Sequence, residues 1–315
     1  MPAHSRPKRT PKAVDPFLGQ IVGGHFLEAP LGKGAHGSCY LAYRVGCRSK
    51  EICVKVITEA DQAKNEMTNM ELMQELKIVP KLLFQETLNG LEVIGMDLAY
   101  DTIETYMKAV KWPLGPQKFE DITTVRVLLQ CLSGLREVHA LNIVHMDIKT
   151  DNVFVTRPYD CGRAVSLLLG DFGMSTRLEI SDGELKQVPG QPEYMVKEMV
   201  HSSPNVHRRG GVHGFLEDIH QLSYMGLMMA GFDLNTNFKT ISGCLKFKQS
   251  LLSNPAAALS PSVQWMVPFF VAINQQDPLN ISYQAIERSL KSLVKARPFN
   301  RNLRLRKKEQ TLYLE

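Results

Sequence analysis

Apolar and polar positions along this chain follow two rhythms, and the change between them divides it. From His25 to Ile57 the spacing is the short period of strands, interrupted by a glycine-rich turn and closing on Ile52-Cys53-Val54-Lys55-Val56-Ile57. Between Asp61 and Lys77, Met67, Met70, Leu72, Met73 and Leu76 recur close to the helical period, so a helix is predicted over 61–77. Leu91 to Leu98 is a second strand-like apolar run. Val125 to Ala140 is helical again, with Val127, Leu128, Leu132, Leu135 and Val138 near one broad face. After Asp218 the pattern stays helical, and Met225 to Met229 is strongly apolar. A small β-rich front half and a larger helical rear half are predicted, an α+β chain of two lobes.

Composition changes this picture little. The 315 residues can bury a substantial core, and 44% hydrophobic with 22% charged residues describes an ordinary globular protein. The richest apolar run, Trp265 to Ile273, contains Pro268 and falls far short of the roughly 18 residues of a membrane span. No membrane association is expected. The N-terminus has no apolar core of a secretory signal. Cys39, Cys47, Cys53, Cys131, Cys161 and Cys244 lack C-x-x-C spacing, which argues against zinc and a disulfide framework and for a reducing, intracellular compartment. The net charge of +5 gathers at the ends: Arg6, Lys8, Arg9 and Lys12 at one, Arg297, Arg301, Arg304, Arg306, Lys307 and Lys308 at the other. Residues 1–17 and 298–315 therefore read as solvated basic tails. Such clusters also serve nuclear import, so cytoplasm or nucleus both fit. No aromatic-interleaved basic surface supports a nucleic-acid partner, and nothing reports on oligomeric state.

The candidate chemistry lies in three places. Leu31-Gly32-Lys33-Gly34-Ala35-His36-Gly37-Ser38-Cys39 has G-x-G-x-x-G spacing, which lets backbone N–H groups approach phosphate oxygens. By itself the motif fits a phosphate loop and an ordinary hairpin turn equally. Cys39-Tyr40-Leu41-Ala42-Tyr43 reads as a strand, where a dinucleotide-binding fold would have a helix. Lys55 sits at the end of an apolar strand, where a buried ammonium is costly unless paired. Finally, His145-Met146-Asp147-Ile148-Lys149-Thr150-Asp151-Asn152 is followed nineteen positions after the Asn by Asp171-Phe172-Gly173. A candidate base, a neighbouring cation and two oxygen ligands for Mg²⁺ are the inventory of phosphoryl transfer.

In this order the motifs resemble those of eukaryotic-type serine/threonine protein kinases, over about His25 to Leu293. The resemblance implies a bilobal kinase-like fold, with an N-lobe over 18–97 and a C-lobe over 98–297, using ATP and Mg²⁺. Under it, Lys55 bridges the α/β-phosphates and pairs with Glu66, with Glu71 as runner-up and Glu75 behind. Asp147 takes the substrate hydroxyl proton, Lys149 neutralises the γ-phosphoryl group, and Asn152 and Asp171 hold the metal. The loop from Leu31 to Cys39 covers the nucleotide, and Cys39 and Cys53 sandwich adenine. Met96 is the gatekeeper, the Asp97 and Ala99 backbones meet the purine edge, and Asp101 or Glu104 meets the ribose. Asp218 supports the catalytic loop. Gly190-Gln191-Pro192-Glu193-Tyr194-Met195-Val196-Lys197-Glu198 matches the peptide platform, and 156–166 reads as a surface insertion.

Four positions depart from the family pattern: Met146 for an Arg, Gln191 for a Thr, Val196-Lys197 for Ala-Pro, and Ile281 for the Arg that would pair Glu198. Such drift suggests a divergent, virus-encoded member. Without that first Arg, activity is expected to be independent of phosphorylation at Ser175, Thr176 or Ser181. Asp151 and Glu193 read first as ordinary surface or loop-stabilising carboxylates; the alternative is that they select protein substrates with Arg or Lys upstream of the Ser/Thr. Cys39 and Cys53 are expected to act as small apolar side chains; the alternative is a reactive thiol that ATP shields, Lys55 lowering the pKa of Cys53. The alternative is a pseudokinase scaffold that binds nucleotide or partners without catalysis, against which stands the retention of Lys55, Asp147, Asn152 and Asp171. A small-molecule phosphotransferase is the other alternative.

Overall fold

The computed structural model describes residues 15–34, 37–109, 118–156, 164–181, 184–188, 204, 214–294, 302–308 and 311–314. The front lobe contains β1 (Ile21–Val22), β2 (His25–Gly34), β3 (Gly37–Arg44), β4 (Cys47–Ile57), helix α1 (Ala60–Leu72), β5 (Leu82–Leu88) and β6 (Leu91–Asp97). The strands form one antiparallel sheet in the order β1-β2-β3-β4-β6-β5. Side chains on β4 alternate between its two faces. Ile52, Val54 and Val56 enter a cluster with Leu27, Tyr40, Ala42 and Val93. Ile57 points the other way, joining Ile94, Ala63 and Met70 beneath α1. Cys53 and Lys55 share that second face. The strand's period thus puts a lysine on the side where α1 lies.

The rear lobe is built on α3 (Asp121–His139), which follows α2 (Ile103–Ala109). Val127, Leu128, Leu132, Leu135 and Val138 are buried in one large core with Ile219, Leu222 and Met225 of α4 (Gly214–Met229). Between these helices run β7 (Ile143–Val144), β8 (Val153–Val155), β9 (Ala164–Val165), β10 (Leu167–Leu169), β11 (Thr176–Ser181) and β12 (Glu184–Gln187). β8 pairs with β10, and β11 lies between β7 and β12. Helices α5 (Leu234–Asn237), α6 (Ile241–Ser253), α7 (Pro255–Ala258), α8 (Val267–Asn274) and α9 (Tyr283–Ser292) complete the lobe. Among the described residues no helix is long and apolar enough to cross a membrane.

Two expectations are corrected. The helix predicted over 61–77 stops at Leu72: Met73 leaves helical geometry at φ −98°, ψ 10°, and turns follow. Met73 and Val79 are buried in the rear-lobe core, with Leu76 and Ile78 packed against it. Their apolar character serves the other lobe rather than a longer helix. The second correction concerns 298–315, read as a solvated tail. Its described residues form β13 (Leu303–Lys308) and β14 (Thr311–Leu314), a hairpin whose first strand pairs with β9. Leu303, Leu305 and Leu314 belong to the rear-lobe core. The insertion at 156–166 therefore offers a strand edge to the C-terminal segment. Residues 1–14 and Cys161 lie outside the described residues.

Lys248 on α6 is buried, 4.5 Å over the Tyr224 ring. Burial lowers its pKa to about 8, against the weaker upward pull of Cys244 and Glu217. The unfolded chain then holds more protons than the folded one between about pH 8 and the ordinary lysine value, so this group's contribution to stability rises with pH across that window. Wild type should gain roughly 3 kcal/mol relative to Lys248→Met over the window, at about 1.4 kcal/mol per pKa unit. Denaturant titrations of both proteins at pH 7.5 and 10.5 check this. Parallel pH profiles would contradict it.

Candidate active site

Lys55 meets two carboxylates in the cleft between the lobes. Its Nζ lies 2.8 and 2.7 Å from the two oxygens of Glu66 and 2.9 Å from Asp171 Oδ1. Glu71 is exposed and bonds Gln85, so Glu66 is the helix partner. Burial by itself would lower the Lys55 pKa, but Glu66 and Asp171 outweigh it and hold the ammonium above the ordinary lysine value. The pair is an ionised bridge, its side chains 10% and 3% exposed.

The glycine-rich loop is the β2–β3 hairpin. A Cβ on Gly37 would stand 2.1 Å from the Val56 carbonyl, so β4 passes too close for any side chain there. A Cβ on Gly32 would meet nothing within 4 Å, leaving open space for a ligand to approach the backbone. Leu31, Gly32, Lys33 and Gly34 are exposed, with Ser38 and Cys39 partly buried beyond the turn. Ala35 and His36 lie outside the described residues.

Cys39 stands opposite Lys55, and Cys53 opposite Leu41 and Met96. At Cys53 the downward pull of the Lys55 charge is outweighed. The thiol's hydrogen bond to Cys39 and its burial push its pKa well up. Cys39 is the lowered one, through that same hydrogen bond from Cys53 and the Lys55 charge, despite burial. Alkylation by iodoacetamide should therefore mark Cys39 before Cys53, and Mg-ATP should slow it. Peptide mapping by mass spectrometry decides, and preferential labelling of Cys53 would overturn the order.

At the lobe junction Asp97 closes β6, with its N–H bonded to the Lys81 carbonyl. Only the Asp97 carbonyl and Ala99 then remain of the expected purine contacts. Glu104 accepts from Thr150 Oγ1 at 2.6 Å and pairs with Lys108.

The loop after β7 is held from below by α4. Asp218 is fully buried and accepts the N–H of His145 at 2.7 Å and of Met146 at 2.8 Å. His139 Nε2 lies 2.9 Å from the same carboxylate. Three residues on, Gln221 accepts the Ile148 N–H at 2.8 Å and donates to the Met146 carbonyl at 2.9 Å. Met146 has φ 71°, a left-handed conformation that costs a side-chain-bearing residue about 1–2 kcal/mol. The Asp218 and Gln221 bonds hold it there. Gln221 was not anticipated from the sequence; its signal is the spacing, one helical turn beyond Asp218 on the same helix.

Held in this way, Asp147 Oδ2 takes 2.8 Å from Asn152 Nδ2 and 3.1 Å from Lys149 Nζ. Asn152 Nδ2 also donates to the Asp147 carbonyl, so the amide nitrogen is committed inward. Its carbonyl oxygen and the Asp171 carboxylate are the hard ligand type that Mg²⁺ takes, and two such groups suffice where phosphate oxygens complete the shell. Asp171 adopts φ 62°, followed by a single turn over Phe172–Met174. Ser175 and Thr176 are 2% and 4% exposed, so neither is open to a modifying enzyme in this conformation. Ile281, at the position lacking an Arg, packs against the rear-lobe core. The 190–198 platform, with Gln191, Glu193 and Glu198, lies outside the described residues.

A protein kinase domain model matches residues 27–213. The serine/threonine-protein kinase GRIK1 of Arabidopsis thaliana is 29% identical over 182 residues, covering 54% of this chain and 44% of the relative. The serine/threonine-protein kinase PLK2 of Mus musculus is 26% identical over 288 residues, covering 87% of this chain and 38% of the relative. The mitogen-activated protein kinase kinase kinase 3 of Arabidopsis thaliana is 28% identical over 218 residues, 62% and 34% of the two chains. In each case the chain spans less than half the length of the curated relative it matches.

Proposed function

This chain belongs to the protein kinase family, and on that premise we propose that it transfers the γ-phosphoryl group of Mg-ATP to Ser/Thr hydroxyls of protein substrates. The convergence of Glu66 and Asp171 on Lys55, opposite Asp147 with Lys149 and Asn152, is the observation that carries the reading. Lys55 orients the α/β-phosphates. Asp147, engaged through one oxygen by Asn152 and Lys149, offers the other to the attacking hydroxyl. Lys149 faces the charge that grows on the moving phosphoryl group. Asn152 and Asp171 would hold Mg²⁺, which, when bound, neutralises the phosphate oxygens. Positioning and charge neutralisation are most of what this reaction asks of a protein.

The Lys at 149 follows the serine/threonine pattern. Exposed Asp151 beside it supports selection of substrates with basic residues upstream. A radiolabelled-ATP assay on a peptide library, with Asp147→Asn as control, tests the proposal. Transfer to Ser/Thr peptides that the control lacks is expected. Nucleotide binding without transfer would favour a scaffold instead.

A further inference from the structure

The inner face of α1 is polar where a helix packed on a sheet is ordinarily apolar. Its buried residues are Ala63, Asn65, Glu66, Asn69 and Met70. Glu66 is explained by Lys55. Asn65 and Asn69, one turn apart and 5% and 0% exposed, direct their amide nitrogens to Ser175, and Asn69 also to Asn65. A buried amide without a partner is costly, so what they bond matters. Asn65 Nδ2 donates to the Ser175 carbonyl at 2.7 Å. Asn69 Nδ2 donates to Ser175 Oγ at 2.8 Å and to Asn65 Oδ1 at 3.2 Å. Ser175 Oγ in turn donates to the Phe172 carbonyl at 2.5 Å. The network is buried and uncharged, and it joins α1 to the segment that carries Asp171.

That joint answers a physical difficulty. Glu66 and Asp171 sit on separate pieces of chain, carry like charges, and converge on one ammonium. Repulsion pushes them apart whenever Lys55 turns toward a phosphate. We propose that Asn65, Asn69 and Ser175 form a neutral latch that holds α1, and so Glu66, against the Asp171 segment, in place of a phosphorylated activation segment. The proposal rests on the kinase reading and names positioning residues for it. Asn65 precedes Glu66 directly and Asn69 follows one turn on, so the helix cannot rotate Glu66 out without breaking both contacts with Ser175. With Met146 where an Arg would bind a phosphate, the latch needs no charge to close.

The full-length chain as Asn69→Leu, Ser175→Ala and the double variant tests this. Amide hydrogen exchange across 60–72 is measured without nucleotide, alongside kcat and KM for ATP. Each single change should speed exchange in α1 about tenfold or more and lower kcat by a similar factor, leaving exchange in α3 unchanged. The double variant should lose less than the two single losses combined, since the Asn69–Ser175 bond is removed by both. Additive losses, or α1 exchange equal to wild type, would overturn the latch. If Asn69→Leu does not fold, Ser175→Ala deletes one oxygen and carries the test alone. Exchange needs no phosphoryl transfer: an inactive wild type whose variants still exchange fast would remove the kinase reading and keep the latch.

Discussion

Lys55→Met is expected to lower phosphoryl transfer about a thousandfold, the scale on which a single electrostatic contact to a transition state acts. Asp171→Ala should match it. The two differ in what they do to the fold. Removing Lys55 leaves Glu66 buried, 2% exposed, facing Asp171 with no cation between. Breaking a buried ion pair from one side costs about 3–5 kcal/mol. Burial already pushes the Glu66 carboxyl up, and without Lys55 nothing pulls it back. Its folded pKa then lies above its unfolded value, so the variant's deficit is absent below the ordinary carboxylate pKa and grows as pH rises from there. Lys55→Met/Glu66→Gln should recover stability without recovering transfer. Asp171, 35% exposed, leaves the Lys55–Glu66 bridge intact and should melt close to wild type. Initial rates and thermal melts at pH 4.5 and 7.5 separate these effects. Normal transfer by Lys55→Met would sink the functional reading.

Removing residues 299–315 is expected to destabilise the rear lobe by several kcal/mol. A solvated tail would cost within about 0.5 kcal/mol. Leu303 and Leu305 are 0% and 1% exposed, and truncating a buried leucine to alanine costs about 2–5 kcal/mol. The deletion also bares the β9 edge that β13 covers. Leu303→Ala with Leu305→Ala should reproduce most of the loss, whereas Arg304→Ala, on the exposed face between them, should be nearly silent. Denaturant midpoints decide, and equal midpoints for the full and shortened chains would restore the tail.

Why that hairpin escaped notice is instructive. Leu303-Arg304-Leu305-Arg306 alternates with strand period, but charge clustering at a terminus drew the reading toward solvent. Local patterns were dependable where one face of one element met one environment. The strands through Ile57, the α3 face from Val127 to Val138 and the cluster around Asp147 are all of that kind. They failed where one element served two environments. Met73 and Leu76 continue the helical period of α1 yet pack on the other lobe. Cys53 was assigned Lys55 as its neighbour by sequence distance, whereas the cross-strand contact with Cys39 decides its acidity. The Glu66 assignment needed the sheet to aim Lys55. Gln221 is marked only by its spacing from Asp218, and the asparagines of α1 are illegible because nothing local marks a polar residue whose partner is far along the chain.

That distance has a consequence for how the molecule assembles. The front sheet is mostly built from neighbours in sequence, β2 with β3, β3 with β4, and β5 with β6. The contacts that make the cleft span much more chain: 73 positions from His145 to Asp218, 110 from Asn65 to Ser175, and 116 from Lys55 to Asp171. Closing loops of that length costs entropy before any contact rewards it, so they lag behind local pairing. During refolding, ellipticity from the sheet should return ahead of nucleotide affinity. In that interval the chain holds much of its secondary structure with a buried lysine and two carboxylates still apart, and competence arrives only when its most distant parts meet.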